Sequence, residues 1–290
     1  MIALLFSIVS SSLIFVIFKL FARFKIDTFQ AIVVNYFVAF AIGIILYVDT
    51  WNSECLDDTS WVPYIILCAF MFIGLFLVMG KSSQLNGVAS TSVAVKMSMA
   101  VSLILMIVGY GESLGLLKLL GIILAFIGVF LVSSTKGTKF NNSYKWMLAL
   151  LFIGSGGFDF LLNYIQNNHL DKLSPALFSA IGFGLAGIIG LLMLIVQLAR
   201  RKAKLEYKNI LAGVVLGIPN FFSIYLLLLS YQSTGWADST VLAITNVSIV
   251  LLSALMGFAL FKEKATQMKL LGLLTAIGAI VALYLATLND

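Results

Sequence analysis

The chain has 290 residues, of which 61% are hydrophobic and only 10% charged, whereas a soluble domain is ~25% charged and ~45 to 50% apolar. A water-soluble fold is excluded. The net charge of +6 does not point to nucleic acid, because in a membrane chain the placement of Lys and Arg matters more than their sum.

A spanning helix needs ~20 mostly apolar residues. Ten such runs, bounded by charges, Pro or clusters of Asn, Ser and Gly, follow one another along the chain. They are Ile2 to Leu20, Phe29 to Val48, Trp61 to Gly80, Val88 to Val108, Leu114 to Ser133, Trp146 to Gln166, Ser174 to Leu198, Ile210 to Ser230, Ser239 to Phe261 and Met268 to Thr287. The first run has no basic residues ahead of it and no small-residue cleavage site before Lys19. It is therefore expected to stay as a helix rather than be removed as a signal peptide. The longest connections, Thr50 to Ser60 and Thr135 to Lys145, leave no room for a soluble domain. Cys55 in a loop and Cys68 inside a run are separated in depth, which argues against a metal or redox pair.

Loop charges give an orientation. The loop after the first run and every second loop thereafter hold 15 of the 18 basic residues, among them Lys19, Arg23, Lys25, Arg200, Arg201 and Lys262. The opposite loops hold Lys118 and Lys172 together with the acidic run Asp49, Glu54, Asp57 and Asp58. The positive-inside rule then places both termini outside. Compact loops fit a multi-pass protein of a cell inner membrane, with the basic surplus as a lipid-facing rim.

The two halves repeat. Glu112 begins ESLGLLKLLG and Glu263 begins EKATQMKLLG, so that a Glu precedes a Lys by six positions and the sequence KLLG recurs at an offset of 151. Upstream, Gln84, Gly87 and Ala89 correspond to Gln232, Gly235 and Ala237 at an offset of 148, and Ser90 and Thr91 to Ser239 and Thr240 one position further on, at 149. The expected units are residues 1–136 and 137–290. Five spans per unit is an odd number, so the second unit enters the membrane from the other side. Inverted repeats of this kind recur in secondary transporters, where two packings of similar halves open a midplane site to either side.

Ten spans, the five-plus-five duplication, and in each half a small or charged residue with Glu (Gly111 with Glu112; Lys262 with Glu263) before a final KLLG helix resemble the EamA branch of the drug/metabolite transporter superfamily. The likeness extends over the whole chain. It implies an all-α integral membrane protein working by alternating access. Helices one to four and six to nine would surround a central cavity, with five and ten in support. This sequence departs from the pattern where many relatives carry Pro in the fourth and ninth helices. Met97, Ser98, Val247 and Ser248 stand there instead, which removes the sequence reason for a helix break.

A charge at the bilayer centre costs ~2.5 to 3.5 kcal/mol on insertion scales, so an intramembrane ionisable residue is a functional candidate by default. Two qualify: Lys96, ~12 Å into the fourth helix, and Asp159, ~20 Å into the sixth, both measured from the basic side. They come from opposite halves and are candidates for a pair, either structural or working in substrate and proton handling. Ser155, Asp159, Asn163 and Gln166 recur at steps of four, four and three on one face of the sixth helix. Ser7 and Ser11 form a weaker counterpart in the first. Asn35 and Tyr36, Asn220 beside Pro219, Tyr225, and Asn246 with Ser239 and Ser253 at seven-residue spacing complete the candidates for substrate contact. Their amides can both donate and accept, as a polar or zwitterionic solute requires, though buried Asn also serves as interhelical glue. Gly182, Gly184, Gly187 and Gly190 read as close-packing sites.

A membrane-embedded lipid-modifying enzyme is the competing class. It would need an acid and base around Asp159, but His169 is the sole histidine and stands at the outer edge, and HExxH, GxSxG and phosphate-cradling motifs are lacking. A channel or a multidrug exporter is the other alternative. The expected function is secondary transport, in either direction, of a small amino acid-like metabolite. Lys96 would meet a carboxylate or phosphate and Asp159 a proton or ammonium. No cofactor, metal or nucleic-acid partner is expected.

Overall fold

The structure, a computed structural model, describes residues 2–47, 59–110, 115–133, 144–169, 175–200, 204–233 and 238–287. Its elements are α1 (Ile2–Arg23), α2 (Thr28–Tyr47), α3 (Val62–Leu85), α4 (Val88–Met97), α5 (Met99–Tyr110), α6 (Leu116–Ser133), α7 (Trp146–His169), α8 (Pro175–Ala199), α9 (Tyr207–Ser233), α10 (Asp238–Phe261) and α11 (Gln267–Thr287). Among the described residues there is no strand. In hydrocarbon each backbone N–H and C=O must be satisfied internally, and a helix does so within its own segment. Eight helical stretches are long and apolar enough to cross a membrane, while Leu116–Val132 and Trp146–Leu162 are apolar but shorter. The acidic run Asp49 to Asp58 with Cys55, and also Glu112, Gly235 and Ala237, lie outside the described residues.

Polarity is inverted relative to a soluble protein. Phe130, Leu192, Leu255 and Leu274 are exposed on the outside, whereas Asn35, Ser82, Thr91, Asn246 and Ser253 are buried. Apolar exteriors suit lipid, and the interior takes the polar groups because there they can meet partners.

Small residues let the helices approach. A Cβ at Gly121 of α6 would lie 2.5 Å from Leu283 Cγ and 3.2 Å from Ala279 O of α11. A Cβ at Gly272 of α11 would lie 2.5 Å from Val132 Cγ2 and 3.0 Å from Gly128 O of α6. The helix α2 is held on two sides in the same way. Gly184, Gly187 and Gly190 of α8 receive Phe40, Phe37 and Val33, and Gly213 and Gly217 of α9 receive Val34 and Val38. Such backbone contact maximises dispersion where lipid offers no hydrophobic drive.

The fourth predicted span is interrupted after all, at a serine rather than a proline. Ser98 separates α4 from α5, its hydroxyl donating to Val95 O at 2.6 Å, while the amides of Val101 and Ser102 both donate to Ser98 O. A serine that bonds back into the preceding turn competes with the helical ladder and bends it. The corresponding stretch of α10 runs unbroken through Val247 and Ser248.

One end of the bundle carries Lys19, Lys25, Lys81, Lys204, Lys208, Lys262 and Lys269 and is termed the basic end. There Asp27 caps α2, its Oδ1 accepting from the amides of Phe29 and Gln30. Asn209 donates to Gln30 Oε1 at 2.9 Å and accepts from Asp27 N at 2.9 Å, tying the start of α2 to that of α9.

Candidate functional site

The break at Ser98 organises the first group of polar side chains. On α7, Trp146, Leu150 and Ile153 are exposed in the lipid-facing direction. At ~100° per residue Asp159 points roughly 120° to 180° away from them. It is nevertheless accessible, so its carboxylate looks onto solvent-reachable space on the inner side of its helix. Asp159 Oδ2 lies 3.3 Å from Ser98 Oγ, and Lys96, half-buried two residues before Ser98, lies within electrostatic reach. Lys96 and Asp159 therefore meet through their fields, and Asp159's direct partner among the described residues is Ser98. The close approach of α7 depends on Gly156, where a Cβ would sit 2.5 Å from both Ser98 O and Val101 Cβ. From α10, Asn246 donates to Met99 Sδ at 3.8 Å, on the other side of the same break. Three candidates from the sequence, Lys96, Asp159 and Asn246, are thus gathered around Ser98.

The second group lies among α1, α2 and α9. Ser7 donates to Ser223 O at 2.8 Å, and Ser223 donates to Asn220 O at 2.8 Å. Asn35 is fully buried beside Gly217. Both amide atoms of Asn35, the amide nitrogen of Asn220 and the hydroxyl oxygens of Ser12 and Ser253 are buried with no hydrogen-bond partner among the described residues. Leaving such a group unmade costs ~1 to 3 kcal/mol. Phe221 and Tyr225 add a stacked aromatic pair at 5.8 Å on α9.

Tyr36 differs from the other candidates. Its ring is enclosed by Phe72, Phe76 and Phe183, and its hydroxyl is committed to Phe72 O at 2.7 Å. Tyr36→Phe is expected to lower stability by about 1 kcal/mol, the net worth of one hydrogen bond, and to leave solute binding unchanged; thermal unfolding with and without ligand reads both. The side chains of Asn163 and Gln166 lie outside the described residues. Sequence reading passed over Ser98, Gly156 and Ser12 as functional groups, whereas Ser253 stood among its candidates. The run Gly154, Ser155, Gly156, Gly157 was the available sign that α7 approaches a neighbour closely.

Comparison with known proteins gives concordant results. The family model "Sugar transport protein" matches residues 111–288 and "EamA-like transporter family" matches residues 1–134. An uncharacterised protein of Haemophilus influenzae is 26% identical over 291 residues, covering 97% of both chains. A solved crystal structure superposes with a TM-score of 0.61 over 98% of this chain and 96% of that one at 14% identity, which shows a shared fold. Both matched families are transporters rather than enzymes. The chain belongs to the drug/metabolite type of membrane transporters, with matches to the EamA-like and sugar transport protein families.

Proposed function

We propose that this protein moves a small polar or zwitterionic, amino acid-like metabolite by alternating access between two inverted five-helix units, residues 1–136 and 137–290. The observation that carries the reading is the placement of Lys96 and accessible Asp159 around the helix break at Ser98, two opposite charges within electrostatic reach, with Asp159 Oδ2 3.3 Å from Ser98 Oγ. Lys96 would take the solute's carboxylate. Asp159 would take its ammonium or a proton: Ser98's single hydroxyl proton is drawn to Val95 O at 2.6 Å, so a protonated Asp159 can donate to Ser98 Oγ. Asn246, Asn163, Asn35, Asn220 and Tyr225 would complete the path, with Tyr36 supporting its wall.

The contacts between α6 and α11 support the inverted arrangement. An offset of 151 carries Gly121 to Gly272, Val132 to Leu283 and Gly128 to Ala279. The contacts of Gly121 with Leu283 and Ala279 thereby become those of Gly272 with Val132 and Gly128. In this reading all ten apolar runs cross an inner membrane, and the basic end faces the cytoplasm with both termini outside.

A sugar is the second reading. The unpaired amide of Asn35 and the unpaired amide nitrogen of Asn220, the latter next in sequence to the Phe221 and Tyr225 stack, suit a neutral polyol, in keeping with the name of the family matched over residues 111–288. A thermal-shift screen of the purified protein against amino acids, sugars, sugar phosphates and cationic drugs separates the two. A ligand at 100 times its Kd stabilises the fold by ~2.7 kcal/mol. An amino acid shift that disappears in Lys96→Ala is the expected result, and a sugar shift that survives in that variant replaces the first reading with the second.

A further inference from the structure

The most elaborate polar junction in the described protein lies away from Lys96 and Asp159, at the basic end. The side chain of Glu263, only 8% exposed, reaches from the connection between α10 and α11 into the opposite unit. Its Oε1 accepts from Val88 N at 2.7 Å, in the first turn of α4. Lys269 Nζ stands 3.5 Å from Oε2 and Lys19 Nζ 3.9 Å from Oε1, while Lys19 also donates to Gln84 O at 3.0 Å. The carboxylate is thus shared among α1, the start of α4 and α11, and Lys19 ties the junction to the end of α3. A negative charge is favoured at a helix N-terminus, where free N–H groups converge.

The fit requires Gly87. Its φ of 98° is a conformation that side chains disfavour, and a Cβ there would lie 2.6 Å from Glu263 Oε2. Gly257 of α10 is the second shallow contact, with a Cβ 3.2 Å from the same oxygen.

At the level of this junction and deeper in the bundle, several hydroxyls are buried without a hydrogen-bond partner among the described residues. Ser12 stands two turns from Lys19 on the same face of α1, Ser253 lies ten residues before Glu263 on α10, and Ser83 precedes Gln84 on α3. All three hydroxyl oxygens lack a partner among the described residues. Each carries a desolvation cost in this conformation and would lose it on contact with water. On α4 itself Ser90, Thr91 and Ser92 are all buried. A hydroxyl-rich seam closed by one interunit carboxylate is the composition of a path that is shut here and wet in another conformation.

We infer that Glu263 is the latch of a gate at the basic end, and that the seam marked by Ser12, Ser83 and Ser253 is the closed half of the solute path. Opening moves the Glu263 carboxylate off Val88 and Lys19, separating the second unit from the first. The inference rests on the alternating-access reading, but its test needs no solute.

In a Cys55→Ser, Cys68→Ser background, Ser12→Cys is placed in inside-out vesicles and its rate of reaction with a membrane-impermeant maleimide is measured. Adding Glu263→Gln is expected to raise that rate about tenfold, the size of effect given by losing one charge-assisted contact. Lys269→Gln, which keeps the Val88 contact, is expected to raise it less, and it serves as the second variant should Glu263→Gln fail to fold. Unchanged labelling in a folded latch variant, with only a lower unfolding temperature, would make Glu263 a static helix cap and overturn the inference. Faster labelling in a protein that transports none of the screened solutes would leave the latch standing and remove the transport reading.

Discussion

Lys96→Ala is expected to lower solute transport about tenfold or more while the protein still inserts and folds. The magnitude lies between two limits. Breaking a fully buried ion pair costs ~3 to 5 kcal/mol because one charge is left stranded, whereas an exposed pair is worth ~0 to 1 kcal/mol. Asp159 is accessible and its direct hydrogen bond is with Ser98, so loss of Lys96 leaves it solvated, and the stability cost falls near the lower limit. Transport is affected more, since a solute carboxylate then has no cation to exchange for. Counterflow in proteoliposomes and the thermal shift with ligand would both lose their signal.

Asp159→Asn separates coupling from binding. The amide can keep a hydrogen bond to Ser98 but cannot release a proton, so solute exchange is expected to continue while accumulation driven by a pH gradient stops. Combining the two substitutions completes a cycle. Groups that interact directly show coupling of ~0.5 to 3 kcal/mol, of either sign. If the double variant recovers the stability lost in both singles and ligand shifts persist throughout, the two charges are a structural pair and the solute binds elsewhere, with Asn35 and Asn220 the next residues to substitute.

The membrane class was legible because lipid imposes one requirement, long apolar runs, that no soluble fold shares. The transporter assignment, read from the Glu and KLLG motifs, is borne out by the matched families. Lys96 and Asp159 were found for the same reason as the spans: a charge stands out in an apolar run. Hydroxyl chemistry was not legible. Serine is tolerated in spanning helices as packing, capping or solute contact alike, and only the fold tells Ser98, which bends its helix and meets Asp159, from Ser12, which is buried without a partner. Tyr36 illustrates the converse. Adjacent to Asn35 in sequence, it belongs to a different face of α2, and its hydroxyl is already taken by Phe72 O.

Three neighbouring glycines on α7 should respond to alanine in graded fashion, and the grading tests whether the Ser98 break positions Asp159. At Gly157 a Cβ meets nothing within 4 Å, so Gly157→Ala gains helix propensity, worth up to ~1 kcal/mol, and leaves transport unchanged. At Gly154 the nearest atom is Leu75 Cδ2 at 2.7 Å. That is the tip of a flexible side chain, and Gly154→Ala should be near neutral. At Gly156 the new methyl would meet a backbone oxygen and a Cβ, Ser98 O and Val101 Cβ, both at 2.5 Å. Neither can yield without moving α4 and α5, and overpacking of this kind costs ~1 to 3 kcal/mol. The strain is relieved by withdrawing α7, which carries Asp159, one turn along, away from Ser98 and Lys96. Gly156→Ala should therefore lower both the unfolding temperature and proton-coupled uptake, with uptake falling by more than the loss of folded protein explains. Equal behaviour of all three variants would mean that α7 is loosely held and that Asp159 needs no fixed relation to the break.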